Sequence, residues 1–129
     1  MKLATAILKA PVGLDVHRAE LLSVCVWKWT EADGKYRGCR WWSAAALGNP
    51  GGDKIHEHVV PRKLLVEALV ALQEPSEKAV RDLFATMALA CVVTRAEDAR
   101  LGEATWEELL ADPWARYHGT EIEVVDTAA

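Results

Sequence analysis

The chain of 129 residues has little of what marks the commoner site chemistries. Cysteine occurs three times, at Cys25, Cys39 and Cys91, without a CxxC pair. An odd number cannot pair completely within one chain, and the spacing outlines no zinc knuckle. Two of the three lie in apolar runs, where a reduced cysteine behaves as a small hydrophobe, so free thiols in a reducing cytosol are expected. No uninterrupted apolar run approaches the ~20 residues of a membrane span. Lys9 and Pro11 cut short the apolar start, so no signal peptide is read there, and a cytoplasmic protein with no membrane partner is expected. Positive charge is also short. Fifteen Lys and Arg against nineteen Asp and Glu leave a formal net charge of -4, which argues against broad affinity for a phosphate backbone. There is no Walker loop and no GxSxG elbow.

What is present is ordinary globular composition, 51% hydrophobic and 26% charged, which excludes bulk disorder. The length suits one domain of ~100–200 residues that needs no disulfide or structural metal. The expected fold is α+β and mostly helical, a single compact domain over residues 1–129 with about five helices and a few short strands. Residues 1–12 read as a strand or ordered arm ended by Gly13. Asp15 is placed to cap a helix from Val16 to about Thr30, with Leu21, Leu22, Cys25, Val26 and Trp29 on one apolar face. A hairpin through Asp33-Gly34 is the alternative for residues 16–42. Trp41 to Leu47 reads as a short helix, Asn49 to Asp53 as a loop and Ile55 to Val60 as extended chain. Pro61 opens a helix that ends near Gln73. Ser76 caps the next, with Val80, Leu83, Phe84 and Met87 as its buried stripe. Ala90 to Val93 is its end or a short strand. Thr94 and Thr105 each stand three residues before a glutamate, the spacing of a capping box. Asp112-Pro113 reads as another helix start. Thr120 to Val125 reads as a surface strand, and Asp126 to Ala129 as a flexible tail.

Chemistry concentrates in Ile55-His56-Glu57-His58-Val59-Val60-Pro61. In an extended segment His56 and His58 share one face and Glu57 takes the other. Two imidazoles at that spacing suit one divalent metal, although a catalytic site asks for a third protein ligand. Glu57-His58-Val59-Val60-Pro61 resembles the first motif of the HNH, or His-Me finger, nucleases. The resemblance covers five residues. It implies a metal-dependent phosphodiester hydrolase in which His58 is the general base and Glu57 helps hold a divalent metal. His56 and Asp98 would be further ligands, and Arg62 and Lys63 phosphate contacts. Histidine titrates in the range such a base needs. The alternative for the same residues is helix entry, with His58 and Val59 packed on the core and His56 and Glu57 bonded to nearby backbone.

Six tryptophans are many for this length. Trp27, Trp29, Trp41 and Trp42 cluster in one stretch, and they supply either core or an interaction surface. Two functions follow. One is a partner-binding or regulatory domain that self-associates, a homo-oligomer, through tryptophan-bearing helical faces. The other is a small HNH-like nuclease, and only that one needs nucleic acid and a metal cofactor.

Overall fold

The computed structural model describes residues 1–10 and 15–129, the side chains of 15 and 16 excepted. A four-stranded mixed sheet carries the helices in a single α+β domain. The helices are α1 (Lys2–Lys9), α2 (Asp15–Thr30), α3 (Ala44–Gly48), α4 (Arg62–Val70), α5 (Glu77–Met87), α6 (Arg95–Asp98) and α7 (Trp106–Ala111), followed by a 3-10 turn at Ala115–Tyr117. The strands are β1 (Trp41–Ser43), β2 (Lys54–His58), β3 (Ala90–Thr94) and β4 (Val124–Asp126), in the order β2-β3-β1-β4. β1 runs parallel to β3, and the other two pairings are antiparallel.

Three apolar groups hold these layers together. The largest lies among the helices and contains Leu22, Val26, Leu65, Leu69, Val80, Phe84 and Leu109. A second, on one face of the sheet, joins Cys39, Trp42, Ala46, Ala90 and Val92. The third, on the other face, joins Val59, Cys91, Val93 and Tyr117, with Trp41, Trp114 and Ile122 packed on it. Val59 belongs to the third group and Val60 to the first. This two-residue step from β2 to α4 therefore ties the sheet to the helices. All three cysteines are free thiols, and burial raises the pKa of each, Cys91 to about 12.

Several expectations meet the structure directly. Ser76 caps α5, whose Val80, Phe84 and Met87 are buried. Thr94 makes a full capping box with Glu97, and Thr105 caps α7. Pro61 stands just before α4, although that helix ends at Val70 rather than near Gln73. Residues 16–30 are helical, not half of a hairpin. The expected break at Gly13 lies outside the described residues, as does whatever precedes Asp15, which is itself inside α2.

Others are corrected. Residues 2–9 form a helix, not a strand: Ala4, Ile7 and Leu8 fall at helical spacing and turn toward the core. Trp41–Ser43 is a strand, because both edges of this short segment find partners, β3 on one side and β4 on the other. The helix expected there starts only at Ala44, capped by Ser43. Of the two alternatives for Ala90 to Val93, the structure has the strand, Ala90–Thr94. Asp112 closes α7 instead of opening a helix, and its carboxylate accepts from the Trp114 N–H. The strand expected from Thr120 begins only at Val124, since Glu121 at φ 63° interrupts the extended chain. The expected tail is tied down: Asp126 lies in β4 and pairs with Arg40, and Thr127 donates to the Arg40 carbonyl through both its N–H and its hydroxyl.

Candidate functional site

β2 places His56, Glu57 and His58 opposite Val92, Cys91 and Ala90 of β3. Alternation along the strand sends the histidines to the face under α2 and Glu57 to the face under the 3-10 turn. His56 and Glu57 are buried, and His58 is half-buried.

On the α2 face, Thr30 Oγ1 stands 3.0 Å from His58 Nε2 and 3.3 Å from His56 Nε2. The Lys35 carbonyl lies against His56 Nδ1. A carbonyl only accepts, so His56 carries its proton on Nδ1. The Thr30 hydroxyl donates to the Trp27 carbonyl at 3.0 Å, so its oxygen is left as an acceptor, and His58 Nε2–H donates to it. Trp27 packs on both rings, 5.5 Å from the His56 centroid and 4.9 Å from that of His58. Arg62 covers Trp27, its guanidinium 4.8 Å from the ring centre, and donates to Ser23 Oγ. Burial, then the neighbouring His56 and Arg62, lower the His58 pKa to about 3. His58 is thus a neutral imidazole far below the pKa that suits a general base at neutral pH.

On the opposite face, the Glu57 carboxylate accepts from Arg116 Nη1 at 2.6 Å and from the Tyr117 hydroxyl at 2.5 Å. Arg116 Nη1 also donates to the carbonyls of His58 and Val59. One guanidinium thereby holds both the strand's carboxylate and the backbone where the strand ends. Burial pushes the Glu57 carboxyl above its ordinary range, while Tyr117 and Arg116 pull it back. The Tyr117 phenol is raised by its own burial and by the charge of Glu57.

The other named residues separate. Asp98, half-buried in α6, adds a small upward push to the Glu57 pKa. Among the described residues no three of His, Cys, Asp and Glu converge to hold a metal ion. Lys63 is exposed beside the engaged Arg62. The four clustered tryptophans pack against different neighbours: Trp27 on the histidines, Trp29 edge-on to Phe84, Trp41 edge-on to Trp114, and Trp42 within the sheet core.

Arg116, Tyr117 and Thr30 are missing from the sequence reading. Arg116 and Tyr117 lie 59 and 60 residues from Glu57, and no local pattern reaches that far. The one available signal is a cation beside an aromatic in Trp114-Ala115-Arg116-Tyr117. A second buried carboxylate has the same character. Glu97 accepts from the Ser43 hydroxyl and from the Thr94 N–H, joining the ends of the two parallel strands. Its capping role is visible in the sequence, but its bond to Ser43 is not.

Compared with known proteins, the chain matches no family model, no curated protein and no solved structure.

Proposed function

We propose that this chain is a partner-binding domain that self-associates through its helical faces, and that the His-Glu-His segment is part of its framework. The observation that carries this reading is the distribution of apolar residues around α2. Leu22 and Val26 are fully buried, whereas Leu21 and Val24 are each 53% exposed. A helix that is apolar on both sides is ordinarily covered on both sides. Leu3 on α1 and Leu110 on α7 add exposed apolar surface elsewhere. The polar groups of β2 support the same reading from within. Each of the three side chains has a hydrogen-bond partner within the fold, and among the described residues no buried side-chain nitrogen or oxygen lacks a partner. Hydrolysis of the kind the HNH resemblance implies needs Glu57 and His58 to face one metal-bound water, and they leave the strand on opposite sides.

Light scattering of the full chain at micromolar concentration tests the proposal. Most soluble oligomers are two-fold dimers, so the expected mass is twice 14.2 kDa. A concentration-independent mass of 14.2 kDa would contradict self-association.

A further inference from the structure

We infer that two copies of this chain pair through the outer face of α2, antiparallel, across a two-fold axis passing near Val24. The inference rests on the self-association proposed above and specifies its surface. His17, Leu21, Val24 and Lys28 are spaced four, three and four residues apart, and with Glu20 they form the exposed side of the helix. The apolar pair sits in the middle of that side. Glu20 lies one turn before Val24 and Lys28 one turn after it.

These two charges cannot satisfy each other within one helix. They are eight residues apart, about 12 Å along the axis at the usual rise. Among the described residues neither joins an ion pair. The outer face of α5 is built differently: Lys78 pairs with Asp82 and Arg81 with Glu77, each four residues away. That face is closed on itself, and the α2 face is complementary to a second α2. In an antiparallel pair centred on Val24, residues equidistant from the centre meet. Glu20 then faces the partner's Lys28, and Lys28 faces the partner's Glu20. A parallel pair would set glutamate on glutamate and lysine on lysine, so charge selects the antiparallel arrangement. The same patch is used on both copies, which closes the assembly at two.

Charge reversal tests the register in the full chain by sedimentation equilibrium, with helical content checked by circular dichroism. Glu20→Lys and Lys28→Glu are exposed changes that leave the core untouched. Each alone replaces two attractions by two repulsions, and the dissociation constant should rise by about tenfold or more. Mixed in equal amounts, the two variants should dimerise again. In the mixed pair a helix with two positive charges meets a helix with two negative ones, and both contacts are attractive once more. A wild-type dimer that both reversals leave unchanged would overturn this surface while leaving self-association standing. Two monomeric variants that stay monomeric when mixed would overturn the antiparallel register. A monomeric wild type would overturn both readings.

Discussion

Arg116 is the residue on which most of the β2 end depends. Its side chain is 15% accessible, and its guanidinium meets a Glu57 side chain that is 8% accessible. Removing one member of a buried pair leaves the other charge uncompensated, at a cost of ~3–5 kcal/mol. Arg116→Met should show a loss of that order by urea denaturation at neutral pH. The loss should shrink in mildly acidic buffer, because an unpaired buried Glu57 takes up a proton and no longer needs a cation. A loss equal at both pH values would show that Arg116 acts through packing alone. His58 adds a second contribution that weakens in acid. Its folded pKa of about 3 lies below the ordinary value of 6.5, so the folded state binds its proton less readily than the unfolded state. The stability this group contributes is fully present above pH 6.5 and is lost as pH falls toward 3. The slope from this one proton approaches ~1.4 kcal/mol per pH unit. His58→Asn should flatten the stability profile across that window, and an unchanged slope would place the acid sensitivity elsewhere.

Among the elements, the two helices capped by serine separate local from long-range bonding. Ser76 caps α5 from an exposed position, and its hydroxyl accepts from the Ala79 N–H. Ser43 is fully buried, accepts from the Ala46 N–H, and also donates to Glu97. Ser76→Ala removes a cap, worth ~0.5–2 kcal/mol. Ser43→Ala removes a cap and also takes a donor from a buried carboxylate, a further ~1–3 kcal/mol. Chemical denaturation should therefore rank Ser43→Ala well above Ser76→Ala, and equal losses would mean that the Ser43–Glu97 bond contributes little. The same contrast explains which elements the sequence makes legible. Caps at Ser76, Thr94 and Thr105 depend on residues three positions apart, and each can be read locally. Periodicity exposes α4 and α5 in the same way. β1 is not legible, because a three-residue strand exists only through its neighbours, β3 nearly fifty residues later and β4 more than eighty. At α1 two local signals conflict. The short apolar stretch ended by Gly13 reads as a strand or ordered arm, and the helical spacing of Ala4, Ile7 and Leu8 prevails because it buries a face against the core.

At the scale of the whole molecule, the step from Val59 to Val60 couples two cores, and the His-Glu-His segment anchors that step from both faces of the sheet. The composition of the segment is legible in the sequence, and so is its alternation. Its role is not, since Thr30, Arg116 and Tyr117 reach it from elements 26 to 60 residues away. No helix in the described residues is long and apolar enough to cross a membrane, and the large apolar side chains left exposed lie on helices. In the reading proposed above, His58 belongs to the fold. Melting temperature and plasmid nicking with Mg²⁺ or Mn²⁺, measured on the same samples of wild type and His58→Ala, test it most directly. Intact plasmid with both proteins is expected, and a variant that melts lower, in keeping with a lost contact of ~1–3 kcal/mol. Metal-dependent nicking by the wild type, abolished in a His58→Ala protein that melts at the same temperature, would contradict it.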